Sequence, residues 1–185
     1  KLFEDKFDLT SSIFKIEKEN VATLDINGGN TFVYKASGKQ ESQGFEIDLN
    51  GDITSNLSLI ASYGYTTTEN KEISNKELTN VPHHTANIFV TYKLSSINLP
   101  DYYIGGGTRF IGGKYADEAN NIKLDSALIY NATVGYKKGN WRANLSVQNL
   151  TDEEYVDGAL ISDARGTRVY AGTPRTFLAS VSYKF

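Results

Sequence analysis

The chain has 185 residues, with 19 basic and 22 acidic side chains, a net charge of −3 and no cysteine. That balance gives no general attraction to nucleic acid phosphates, and the absence of thiols excludes a disulfide framework, thiolate metal sites and cysteine nucleophiles. Twelve Tyr and 9 Phe stand against one Trp, a composition that suits strands ending at a water–lipid boundary, where the ring is apolar and the hydroxyl stays wet.

No apolar run approaches the length of a membrane helix, but two-residue alternation recurs between turn-forming clusters. A first strand is expected within "FDLTSSIFKIEKENVATLD", where the alternation slips at Ile13 and Phe14. A second lies within "TFVYKASGKQESQGFEIDLNGD", with Phe45, Ile47 and Leu49 on one face and Glu46, Asp48 and Asn50 on the other. In "LSLIASYGYTTTENK", Leu57, Leu59, Ala61, Tyr63 and Tyr65 form a stripe, and "TANIFVTYKL" continues it with Ala86, Ile88, Val90, Tyr92 and Leu94. The fifth strand, "YYIGGGTRFIGGKYAD", carries glycines that permit bends or close backbone approach. A sixth, "LIYNATVGY", is joined by the tight turn "KKGN" to a seventh, "WRANLSVQNL". A long connection then leads to the last strand, which ends with Phe177, Ala179, Val181, Tyr183 and Phe185 on one side.

This makes about eight antiparallel strands. Connections after the second, fourth and sixth are short, whereas those after the third, fifth and seventh are long and polar, so in an up-and-down sheet all tight turns share one end and all long loops the other. Glu46, Asp48, Arg109, Arg142, Asn144, Gln148 and Lys184 sit opposite the apolar stripes, where they would line a wet interior. The fold class expected is therefore all-β, an antiparallel up-and-down transmembrane β-barrel. A soluble sandwich alternates in the same way but turns its apolar face inward.

In the last third, "NLSVQNLTDEEYVDG" followed by "GTPRTFLASVSYKF" resembles the C-terminal signature of TonB-dependent outer-membrane receptors: an Asn-Leu-x-Asp-x-x-Tyr pattern after the penultimate strand, a Gly-x-Pro-Arg segment and a final Phe. "SQGFEIDLNGDITSNLSLIASYGYTTTE", "NVPHHTANIFVTYKL" and "GGGTRFIGGKYAD" are similar to successive barrel segments of the siderophore-receptor branch. The resemblance implies that residues 1–185 are the C-terminal part of a plugged barrel of about 22 strands in a Gram-negative outer membrane. Neither a plug domain nor a TonB box is recognisable here, and the opening "KLFEDKFDLT" lacks a leader pattern, so the chain is read as a piece of a longer protein. The implied ligand is a ferric siderophore, with outer-membrane lipid around the wall, the TonB–ExbB–ExbD complex acting through the absent plug, and the barrel-assembly machinery reading Phe177, Tyr183 and Phe185. No cofactor, metal, nucleic acid or catalytic residue is expected.

Among individual residues, adjacent His83 and His84 point to opposite sides of an extended chain and make a poor joint metal site. Asp117, Glu118, Asp152, Glu153, Glu154, Asp157 and Asp163 are read as solvated loop charge. Tyr115, Tyr155 and Tyr170, with Arg165 and Arg168, are the candidates for contact with an anionic iron chelate, because arginine offers a fixed donor fork and tyrosine a flat surface with a hydroxyl. The alternative roles are a passive pore, an adhesin or a rim-site enzyme, the last limited by having only two histidines.

Overall fold

Alternation becomes geometry in a computed structural model that describes residues 7–24, 34–72, 76–162 and 166–185. Eight strands form one antiparallel sheet in the order β1 (Phe7–Leu24), β2 (Tyr34–Asp52), β3 (Leu57–Asn70), β4 (His84–Lys93), β5 (Tyr102–Ile111), β8 (Ala127–Lys138), β9 (Trp141–Gln148) and β12 (Thr176–Tyr183). Two small hairpins stand in the long connections: β6 (Lys114–Tyr115) with β7 (Lys123–Leu124), and β10 (Val156–Ser162) with β11 (Gly166–Ala171). The sheet is open, with β1 and β12 each hydrogen-bonded to a single neighbour.

Cross-strand register shows that the apolar stripes are one continuous surface. A single row runs Phe7, Gly51, Leu59, Val90, Gly106, Ala132, Val147 and Phe177, crossing all eight strands. The row below it runs Leu57, Tyr92, Ile104, Val134, Leu145 and Ala179. Residues paired across strands share a face, so this whole side of the sheet is hydrocarbon. It is also the exposed side: Val181 is 70% accessible, Leu145 46% and Ile88 44%. The alternate residues Asn131, Thr133 and Ser146 are only half-exposed.

Among the described residues the buried apolar side chains are Ile111, Ala116, Ala127, Ile129 and Ala159. A soluble domain of this length would bury far more, so the outward stripes are covered by something other than the chain itself. Aromatic residues bound the apolar band. At the tight-turn end Tyr102 meets Tyr136 and Trp141 meets Tyr183, each with ring centroids 4.9 Å apart. At the other end Phe45 lies 5.8 Å from both Tyr63 and Tyr65, and Tyr65 lies 5.1 Å from His84. From Leu57 to Tyr65 strand β3 rises about 27 Å, or about 21 Å of height at a tilt of about 40°, close to the apolar band of about 25 Å in outer-membrane barrels.

The inner face follows its own packing rule. Phe14, Phe89 and Tyr103 each sit directly opposite a glycine, respectively Gly44, Gly107 and Gly135. With no Cβ beneath them the rings lie flat on the wall. The slip at Ile13 and Phe14 is therefore no break in the strand: Ile13 pairs with Phe45 on the outer face, and Phe14 turns inward over Gly44. The irregularity of β1 lies higher, between Lys18 and Ala22, where the register shifts and Asn20 adopts a φ of 56°. The β8–β9 turn is tight, with Gly139 at φ 54°.

Candidate functional site

At the long-connection end three loops are joined through side chains that imitate peptide groups. Asn80, at φ 62°, donates from Nδ2 to the Ala159 carbonyl at 2.7 Å and accepts from the Ala159 N–H at 2.9 Å. Its own N–H donates to the Tyr115 carbonyl at 2.7 Å. Asn tolerates the left-handed conformation and offers both a donor and an acceptor, so one residue ties 71–83 to 112–126 and 149–175. Asn120 does the same for Glu77, accepting from its N–H at 2.7 Å and donating to its carbonyl at 3.1 Å. Buried Lys114 donates to the Asp157 carbonyl.

The root of the last loop is closed by the two signature segments meeting in space. Asn149 is 1% exposed; its Nδ2 donates to the carbonyls of Glu153 (2.9 Å) and Thr173 (3.0 Å), and its Oδ1 accepts from the Glu153 N–H at 2.8 Å. Asp152 receives the Arg175 N–H at 2.8 Å and faces its guanidinium at 3.1 Å. The Tyr155 ring lies against Gly172, where a Cβ would come within 2.2 Å of it. Tyr155 also packs on Ile111, Ala127 and Ile129.

Beneath this closed root, on the inner wall, lies a cavity of about 350 Å³ lined by Phe89, Arg109, Asn131, Thr133, Gln148 and Tyr155, among others. It combines a flat aromatic face, a guanidinium and several hydrogen-bonding groups, the mixture that orients a polar ligand. A second cavity of about 330 Å³ is lined by Glu41, Glu69 and Glu77 together with Lys76 and hydroxyl and amide groups, and its Glu41 and Glu69 are paired with Lys71.

Of the residues singled out from sequence, Arg168 and Tyr170 share one face of the β10–β11 hairpin with Leu160, and Tyr170 is 54% exposed. Tyr155 lines the inner cavity. Tyr115 is half-buried in β6, its carbonyl held by the Asn80 N–H, and Arg165 and Asp163 lie outside the described residues. His83 bonds to Glu77 and His84 to Tyr63, each at 2.7 Å; the two imidazoles serve different partners, but they do not point to opposite sides, since their rings meet edge-on at 6.4 Å and both lie against Tyr65. Among the described residues no group of three or more His, Asp or Glu is placed to hold a metal. Asp117 caps its own turn through the N–H groups of Asn121 and Ile122. Phe177 and Tyr183 lie on the outer face of β12, and the Phe185 ring meets that of Tyr183 edge-on. Asn80 carried no signal in the sequence, because its role depends on a strand 79 positions away.

An exposed apolar outer face, a polar inner face and loops gathered at one end define the wall of an outer-membrane β-barrel. The sequence profile described as "TonB dependent receptor-like, beta-barrel" matches residues 1–150, and the chain belongs to that family. It is 37% identical to an uncharacterized TonB-dependent receptor of Haemophilus influenzae over 79% of this chain and 46% of that protein. It is 28% identical to the ferrioxamine B receptor of Salmonella typhimurium over 95% of this chain and 25% of that one. The crystal structure of the siderophore receptor PiuA from Acinetobacter baumannii superimposes on all of this chain, using 27% of its own length, with a TM-score of 0.77 at 26% identity. The chain thus spans from about a quarter to about half of the relatives it matches.

Proposed function

We propose that residues 1–185 are the C-terminal part of the barrel wall of an outer-membrane receptor that takes up ferric siderophores in a TonB-dependent manner. The observation that carries the reading is the inner-wall cavity with Arg109 and Phe89, placed directly below loops that are locked together. The names of relatives, a ferrioxamine B receptor and a siderophore receptor, support the choice of ligand. Rigid loops pre-pay the ordering cost of binding. On this reading Arg168 and Tyr170 meet the chelate at the surface, Tyr155 and Arg109 meet it inside, and no covalent chemistry occurs. Tyr115 and Arg165 are assigned to the same vestibule.

The unpartnered edges of β1 and β12 are taken by strands of the same receptor, since an open edge in lipid leaves backbone groups unsatisfied at several kcal/mol each. The plug, energised by TonB with ExbB and ExbD, fills the lumen. Phe177, Tyr183 and Phe185 serve the barrel-assembly machinery. The test is uptake of radio-iron from ferrichrome, ferrioxamine B and a ferric tris-catecholate by cells carrying the full-length receptor, with and without TonB. Uptake of at least one chelate that vanishes without TonB is the expected result; uptake indifferent to TonB would establish a passive pore instead.

A further inference from the structure

Charge on the inner wall is divided by strand. On β1 and β2 the inward charges are mostly acidic, Asp8, Glu46, Asp48 and Asp52 against Lys18 alone; Asp8 pairs with Asn50, Asp48 with Thr10 and Lys18 with Gln40 in the register. On β5, β8 and β9 the inward residues carry no carboxylate. They run from Arg109, opposite Ile129, through Asn131, Thr133 opposite Ser146, and Gly135 opposite Asn144, down to Lys137 opposite Arg142. From the Arg109 row to the Lys137 row strand β8 runs about 27 Å along its length, or about 21 Å of height at a tilt of about 40°, most of the apolar band.

The lower end of this strip is unusual. Lys137 and Arg142 are directly opposed on the same face, and like charges so placed repel. Both are exposed, as is Arg109, and among the described residues none of the three is in an ion pair. Between the cations the strip is lined with hydroxyls and amides: Asn144 Nδ2 donates to Thr133 Oγ1 at 2.7 Å and to Tyr103 Oη at 3.2 Å. Tyr103 and Phe89 lie flat over Gly135 and over Gly105 and Gly107, so neither ring obstructs the strip. A smooth, uncharged track with a cation at each end fits a negatively charged solute and disfavours a positively charged one.

We propose that the inner wall of β5, β8 and β9, from Arg109 to the Lys137–Arg142 pair, is the path of the solute, and that it selects anionic ferric chelates. The selection rests on the uptake reading given above; the field along the strip does not.

The full-length receptor carrying a single cysteine, Thr133→Cys in the strip or Asn50→Cys in the acidic sector, is labelled in the outer membrane with anionic and cationic methanethiosulfonates of equal size. The anionic-to-cationic rate ratio is expected to be about ten-fold higher at Thr133→Cys than at Asn50→Cys, and to fall to parity when Arg109, Lys137 and Arg142 are all changed to Gln. Equal ratios at the two positions, or a Thr133→Cys thiol that reacts with neither reagent, would overturn the proposal. In the same triple variant, TonB-dependent uptake of a ferric tris-catecholate should fall about ten-fold while that of cationic ferrioxamine B does not. An equal fall for both chelates would overturn it too, because the three cations would then serve the plug. If the wild type imports no chelate but the labelling ratio persists, the uptake reading fails and the anion-selective strip stands.

Discussion

Asp152 binds Arg175 twice: one carboxylate oxygen accepts the Arg175 backbone N–H at 2.8 Å, and the other faces the guanidinium at 3.1 Å. The two residues bracket a connection that contains the whole β10–β11 hairpin. The backbone hydrogen bond, reinforced by the arginine charge, holds the Asp152 carboxyl below the usual carboxylate range.

A pH dependence follows from that shift. Folding favours the ionised form, so the contribution of Asp152 is fully present above the unfolded carboxylate pKa of about 3.9 and is lost as pH falls through the lower folded value. Pepsin nicking between residues 149 and 175 should therefore rise steeply in acid for the wild type. For Asp152→Asn it should be raised already at the highest pH assayed, so that the difference between the two proteins closes as pH falls. A difference independent of pH would show that the carboxylate charge contributes nothing.

Asn149 is expected to be the costliest polar residue of the loop root. Its side chain makes three hydrogen bonds to backbone groups in a site that excludes water, and Asn149→Ala leaves buried partners unsatisfied, at about 3 kcal/mol in total. Urea unfolding of the full-length receptor in lipid vesicles measures this. Asn149→Asp, which keeps the acceptor but sets a buried carboxylate oxygen against the Glu153 and Thr173 carbonyls, should cost at least as much as Asn149→Ala.

Two inner-wall glycines should respond differently to the same change. A Cβ on Gly107 would lie 2.2 Å from the Ile88 carbonyl oxygen, which belongs to the backbone, whereas a Cβ on Gly135 would lie 1.9 Å from the end of the Tyr103 ring. Both Ala variants should lose about 1–3 kcal/mol by overpacking. Only Gly135→Ala should be rescued, by Tyr103→Ser in the same chain, since a side chain can be removed and a carbonyl cannot. Equal rescue of Gly107→Ala by removing the Phe89 ring would contradict this.

Adjacent residues on β9 provide the test of sidedness. Leu145 faces outward, paired with Val134 and Ala179, and Ser146 faces inward, paired with Thr133 and Leu178. Arg at position 145 should cost about 2–4 kcal/mol in lipid, and Arg at 146 close to nothing. The fraction of receptor migrating as folded barrel in unheated gels gives the comparison, and the reverse order would place the oily stripe inside.

The alternation of Leu57, Leu59, Ala61, Tyr63 and Tyr65 was enough to predict a strand and its two faces, because the period of a strand is a local property of the backbone. Likewise the order of short and long connections predicted the common end of the loops, and "NLTDEEY" with "GTPR" predicted the family. Which face met hydrocarbon was not contained in alternation. It required the register of the whole sheet and the exposure of its two faces, which leave Val181 and Leu145 exposed without a core to receive them. Asn80 holding Ala159, Asp152 holding Arg175 and the opposition of Lys137 to Arg142 were likewise decided only by tertiary structure. A hydrogen bond or a repulsion between strands depends on register, and register is set jointly by every pair in the sheet rather than by any one segment.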